Sequence, residues 1–234
     1  MPEIYQTSFE SYIQLCMKKT LLVILLSTLS VTLYAQKEVT QFLGIPVDGS
    51  KSAMIRKLKT KGYTINPYNK DVLTGEFNGA NVNIHIVTNK NKVWRIMVAD
   101  NNPMSQEDIK IRFNRLCQQF KDNKKYIPLY PNCSLSPEEN ISYGMSTLDK
   151  KYGAIFYQLS TTVDFIIAKR IHPTLLLEYS TNPTIEKTKD PATAQILETI
   201  LNRPVWFTIQ EHQGKYCIAI YYDNEYNRAN GEDL

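Results

Sequence analysis

Glycine is scarce in this chain, with 9 among 234 residues, and histidine is scarcer, with 3. So little glycine leaves no phosphate-cradling loop and no dinucleotide fingerprint; Gly44 and Gly49 belong to a turn-rich lead-in instead. His85, His172 and His212 fall on a strand, before a proline and in a hairpin turn. None has a second His or Cys at metal-ligand spacing, so zinc is unsupported and no cofactor is expected. Cysteine numbers 4, too few for a disulfide scaffold. Long apolar runs are also missing beyond residue 35, so no later segment is expected to span a bilayer.

Catalytic patterns are equally thin. A Cys–His nucleophile pair would need Cys117, Cys133 or Cys217 beside a histidine in space. Cys217 and His212 share one hairpin, where proximity follows from the turn and implies no catalysis. The acidic positions Glu76, Asp100 and Asp164 are scattered, so a hydrolase assembled from dispersed carboxylates stays open without support.

What the chain does have begins near its front. Met17-Lys18-Lys19 precedes an apolar run from Leu21 to Leu33, followed by Tyr34-Ala35-Gln36. A basic n-region, a short h-region and a small residue at the cut specify a secretory signal peptide, cleaved between Ala35 and Gln36. The competing reading is an uncleaved anchor, for which the run is short of the roughly 20 residues a spanning helix needs. Residues 1–16 read as an over-extended start, with translation beginning at Met17. No Cys follows the run to accept a lipid, and Cys16 lies on its wrong side, so the expected product is soluble, in the periplasm or outside the cell.

Losing Lys18, Lys19, Glu3 and Glu10 leaves the formal charge of +4 unchanged. That mild excess is spread over helix faces (Lys110, Arg112, Arg115 and Lys121 on one of them) and accompanies no nucleic-acid module, so no nucleic-acid partner is expected. Cys117, Cys133 and Cys217 remain, an odd number. Cys117 reads as a small core residue, and a Cys117–Cys133 bridge is geometrically open.

Apolar content of 43% and charged content of 21% suit a globular chain. Ser50 can cap a helix carrying Met54, Ile55 and Leu58, which Gly62 ends. Strands at Val72–Phe77, Val82–Val87 and Val93–Ala99 follow, turning at Asn78-Gly79 and Thr88–Lys92. In the last of these, Val93, Arg95 and Met97 should oppose Trp94, Ile96 and Val98, an apolar pattern on both faces that predicts a central strand. Ser105 with Asp108 predicts a capped helix to Asp122, with Ile109, Phe113, Leu116, Cys117 and Phe120 as its inward stripe.

The Pro-rich stretch 127–140 reads as a loop or linker between two α+β units, 36–126 and 141–234. In the second unit, Ile141–Leu148 and Tyr152–Leu159 read as a hairpin, and Thr162–Tyr179 fits helix or strand equally. Pro191 opens a helix, and Val205–Gln210 with Lys215–Tyr222 form a final hairpin. The tail Asp223–Leu234 is polar and expected to be mobile. The fold class is therefore α+β: a helix followed by an antiparallel meander, packed helices, and a second α+β half ending in a hairpin. The 15 tyrosines suit half-exposed strand faces better than a ligand-stacking platform.

Several strings carry a resemblance: Phe42-Leu43-Gly44-Ile45-Pro46-Val47-Asp48-Gly49-Ser50-Lys51, Leu73-Thr74-Gly75-Glu76-Phe77-Asn78-Gly79, Arg95-Ile96-Met97-Val98-Ala99-Asp100 and Ile111–Phe120. With the ending Gly231-Glu232-Asp233-Leu234, most of the mature chain resembles a family of exported Bacteroidetes proteins that brings no established activity with it. The helix-plus-meander order is similar to β-lactamase-inhibitor-like and outer-membrane-assembly lipoprotein folds, which bind other proteins. Absent chemistry, an export signal and tyrosine-rich strands point to a binding module for an envelope protein or glycan. The alternative is a hydrolase of envelope or dietary polymers.

Overall fold

Tight two-residue turns set the strand registers. Leu43-Gly44, Asn78-Gly79, Lys90-Asn91 and Gln213-Gly214 all have positive φ at both positions, between 45° and 77°. That is the type I′ requirement, whose twist matches that of the strands it joins. The flanking residues face each other: Phe42 and Ile45, Phe77 and Ala80, Asn89 and Lys92, His212 and Lys215.

The computed structural model describes residues 38–159 and 191–229. In chain order the elements are β1 (Gln41–Phe42), β2 (Ile45–Pro46), α1 (Lys51–Lys59), β3 (Thr64–Ile65), β4 (Val72–Phe77), β5 (Ala80–Asn89), β6 (Lys92–Asp100), α2 (Gln106–Asp122), β7 (Tyr126–Pro128), α3 (Ile141–Leu148), β8 (Gly153–Gln158), α4 (Pro191–Leu201), β9 (Pro204–His212) and β10 (Lys215–Asp223). A 3₁₀ turn at Glu225–Asn227 follows. The protein is α+β, as its sequence pattern predicts. No helix among the described residues is long and apolar enough to cross a membrane. The expected cleavage site at Ala35 and Gln36, and the ambiguous stretch Thr162–Tyr179, lie outside the described residues.

β1 and β2 form a small hairpin, and the other strands form one eight-stranded antiparallel sheet in the order β3-β4-β5-β6-β10-β9-β8-β7. Each half of the chain supplies a four-strand meander, and the two meet through their last strands, β6 and β10. Of residues 127–140, expected as a loop or linker, the first two complete β7 at the sheet's far edge and the rest run to α3.

Helices α1 and α2 share one face of the sheet. Ser50 caps α1 by accepting from the Ala53 amide, and Ser105 caps α2 by accepting from the Asp108 amide. Met54 and Leu58 of α1, and the whole expected stripe of α2, are buried against Ile84, Ile96, Val98, Ile218 and Ile220. Phe207 is the hub of this layer, with ring centroids 5.1 Å from Phe113, 5.6 Å from Phe120 and 6.0 Å from Phe156. Full burial of a ring of that size contributes about 2–3 kcal/mol. On the opposite face α4 packs Leu197 and Ile200 over Leu129, Tyr157 and Leu159.

Four expectations need correction. Ile141–Leu148 is helix α3, not a strand. Asn140 accepts from the Tyr143 amide, Ile141, Gly144 and Met145 face the core at helical spacing, and Asp149 ends the helix at φ 48°. The Lys150 amide then returns to the Gly144 carbonyl at 2.8 Å, a left-handed helix stop that period-two reading overlooks.

In β6, Val87 of β5 faces Arg95 whereas Thr88 faces Val93, so Trp94 is an extra, bulged residue. The bulge moves Val93 to the core side with Ile96 and Val98, away from Arg95 and Met97. The central position of β6 stands as expected.

The tail begins as structure rather than as a loose end. Asp223 and Asn224 are buried, and Asn227 donates to Asp48 at 2.7 Å and to the Val93 carbonyl at 2.9 Å. Finally, the basic residues of α2 are not all a solvated face. Arg112 pairs with buried Asp100 (Nη2 to Oδ1, 2.6 Å), and Lys110 donates to the Pro137 carbonyl at 2.6 Å.

Candidate functional site

A cleft of about 870 Å³ opens on the helix-bearing face, between the C-terminal turn of α2 and the arm at Val39–Gly44. Its position follows from length. α1 covers the β5–β6 region and α2 covers β10 and β7, so among the described residues the sheet between their ends is roofed by the short β1–β2 hairpin. Strand alternation then decides what lines it: Phe77 of β4, Tyr222 of β10, Gln158 of β8 and Tyr126 of β7, with Tyr63 following α1.

Its polar groups form a connected chain. The Tyr126 oxygen accepts from Gln158 Nε2 at 3.1 Å, with the Tyr222 hydroxyl as its neighbour. Gln158 reaches on to the arm, donating to the Gln41 carbonyl at 3.0 Å and accepting from the Gln41 amide at 2.6 Å. With Gln158 donating to its oxygen, the Tyr126 hydroxyl has its own proton to give. Burial raises the Tyr126 pKa, opposed by its neighbours Gln158 and Tyr222. Burial, followed by the neighbouring Tyr126, pushes Tyr222 well above the ordinary phenol value. Both stay neutral hydroxyls at physiological pH.

The walls are held by short links. Tyr63 donates its hydroxyl to the Glu76 carbonyl at 3.1 Å. Asn78, at the tip of the β4–β5 turn, exchanges amide hydrogen bonds with Gln119 of α2, at 2.8 and 3.2 Å. Lys61 and Lys125 stand exposed at the rim, and Glu76 is the carboxylate among the lining residues. The arrangement offers flat ring faces, amides and hydroxyls around an open space. That chemistry suits reversible binding of a neutral, hydroxyl-rich ligand.

The residues considered from sequence fall elsewhere, Glu76 excepted. Asp100 is neutralised by Arg112 and sits beneath α2. His85 is half-buried on the sheet face opposite α1 and α2, its pKa lowered by burial and then by Lys51. His212 ends β9, and Cys217 faces Gln210 across the hairpin rather than His212. Asp164 and His172 lie outside the described residues. Among the described residues no three His, Cys, Asp or Glu side chains gather at metal-binding range.

A second polar cluster lies on the opposite face. Arg95 binds buried Asp223 with two hydrogen bonds of 2.6 Å, and its guanidinium lies 4.2 Å from the Trp94 ring centroid and 4.9 Å from that of Tyr221. Trp206 stacks on Tyr221 at 3.9 Å and donates Nε1 to Asp223 at 2.9 Å. Every strong group here faces another inside the cluster, so it braces the β6–β10 junction.

Sequence reasoning missed the cleft. Its lining comes from Gln41, Tyr63, Tyr126, Gln158 and Tyr222, no two of them close in sequence. The one available signal was tyrosine abundance, which also fits ordinary strands. Comparison with protein-family models, curated proteins and solved structures finds no match.

Proposed function

We propose that the protein is a non-enzymatic binding module that holds an oligosaccharide of the cell envelope in the cleft beside Tyr126. The observation that carries this reading is the lining itself. Phenol and phenylalanine rings present flat apolar faces to the C–H side of a sugar, while Gln158, Asn78 and Gln119 offer amides for its hydroxyls. A hydrolase working through an acid and a second carboxylate, about 5–10 Å apart, would need another group beside Glu76. The Leu21–Leu33 run and the Ala35-Gln36 junction support export to the periplasm or beyond, and the intact mass of the exported chain should fit a start at Gln36.

The test is a glycan array followed by calorimetry on the best oligosaccharide. Binding should weaken about tenfold in Tyr126→Phe, the equivalent of about 1.4 kcal/mol for one lost hydrogen bond. Failure of every oligosaccharide, or binding indifferent to both Tyr126→Phe and Phe77→Ala, overturns the assignment. Cleavage of the bound sugar would establish the hydrolase instead.

A further inference from the structure

Away from the cleft, α2 and the loop that follows β7 bring two thiols together. Cys117 lies on the inward stripe of α2 and is wholly buried. Its Sγ donates to the Cys133 carbonyl at 3.5 Å, which places the two thiols side by side. The loop is not free to drift from the helix. One turn before Cys117, Asn114 accepts from the Leu135 amide at 2.7 Å and donates to the Leu135 carbonyl at 2.9 Å. Two turns before it, Lys110 holds the carbonyls of Pro137 and Glu139. The backbone just after Cys133 is thus anchored to the helix that carries Cys117.

The partners differ in a useful way. Cys133 is half-buried, and the Cys117 thiol beside it, opposed by burial and aided by Lys121, brings its thiol down to about 7. Cys117 is pushed up, first by its Cys133 neighbour and then by burial. The accessible sulfur ionises more readily and the enclosed one holds its proton. That division suits attack on an outside disulfide followed by internal resolution. Cys217 stands apart on β10, where burial and Asp100 raise its pKa.

We infer that Cys117 and Cys133 are a disulfide-forming pair, closed by exchange with a small-molecule or protein disulfide. The Cys133 thiolate attacks one sulfur of RS–SR, an S–S bond forms, the original S–S bond breaks, and RS⁻ leaves to take a proton. Cys117 then gives up its proton to solvent, attacks the Cys133 sulfur of the mixed disulfide and expels the second RS⁻. The net result is two protein thiols oxidised and one disulfide reduced to two RSH. The bridge joins the middle of α2 to the loop, fastening residues 129–135 without entering the cleft.

The test exposes reduced protein to oxidised glutathione, alkylates what remains, and maps peptides by mass. The expected product has lost two hydrogens, carries a Cys117–Cys133 cross-linked peptide and is alkylated at Cys217. Its urea midpoint should rise and return on reduction. In Cys117→Ala the reaction should stop at a glutathione adduct on Cys133. In Cys133→Ala, a half-buried position whose change leaves the core stripe intact, no cross-link should form and Cys117 should stay unmodified. Recovery of Cys117 and Cys133 both alkylated after oxidation of the native protein overturns the inference. So does a bridge involving Cys217.

Discussion

The side-chain amide of Asn224 donates to the carbonyl of Val47 at 2.8 Å, across 177 positions of chain. The same residue's backbone amide reaches the bulge carbonyl of Trp94 at 2.7 Å, and its Oδ1 accepts from Tyr226. One buried asparagine therefore ties the N-terminal arm, the β6 bulge and the closing 3₁₀ turn. Asn224→Ala should lower stability by about 2–3 kcal/mol, because the Val47 carbonyl would be left buried without a donor. Urea unfolding reads this as a lower midpoint at unchanged slope. An unmoved midpoint would contradict the tethering role.

Arg95 and Asp223 should behave as one unit. Their side chains are 20% and 2% exposed, so Arg95→Met strands a carboxylate in the protein interior and should cost about 3–5 kcal/mol. Combining Arg95→Met with Asp223→Asn should recover more than about 1 kcal/mol relative to the summed single changes. Strict additivity in that double-mutant cycle would mean the pair is not coupled.

Local features were legible from the chain and non-local ones were not. Ser50 and Ser105 announce their helices, the Ile109-to-Phe120 stripe is buried as its spacing requires, and Asn78-Gly79 turns as its residues demand. Ile141–Leu148 misled because Ile141, Tyr143 and Met145 alternate as strand residues do, while the deciding cues were a cap at Asn140 and a left-handed Asp149. The junction of β6 with β10, the insertion of Trp94, and the convergence of Tyr126, Gln158 and Tyr222 depend on contacts between distant segments. Periodicity carries no information about such contacts.

Gly144 has a packing reason to lack a side chain. A Cβ there would lie 2.0 Å from the Tyr152 hydroxyl oxygen and 3.0 Å from its Cζ. Gly144→Ala should therefore force the buried Tyr152 ring to shift and release its hydrogen bond to Glu139. The expected loss is about 1–3 kcal/mol, as for other overpacked sites. Tyr152→Phe removes the nearest clashing atom, so adding it should return part of that loss. A Gly144→Ala protein as stable as the parent would show that the ring is not fixed.

His85 sets a pH dependence. Its folded-state pKa lies below the ordinary 6.5 because burial disfavours the imidazolium. As pH falls through 6.5 the unfolded chain takes up the proton first, so His85 makes folding less favourable from there down to its folded pKa, and constant below that. Urea midpoints should fall as pH drops below about 7.5, and His85→Gln should flatten this component. An imidazole NMR titration of the folded protein with a midpoint at or above 6.5 would refute it.

The joining of the two meanders through their last strands has a consequence for biosynthesis. A ribosome delivers β6 long before β10, its second partner strand, so the first meander waits with one edge of Lys92–Asp100 unpaired along a hydrophobic strand. For that interval the nascent chain presents an open edge able to accept a strand from any neighbour. Closure must await a contact between residues more than a hundred positions apart, the kind of contact that slows folding and favours off-pathway association. The central strand of the finished molecule is the most vulnerable edge of the unfinished one.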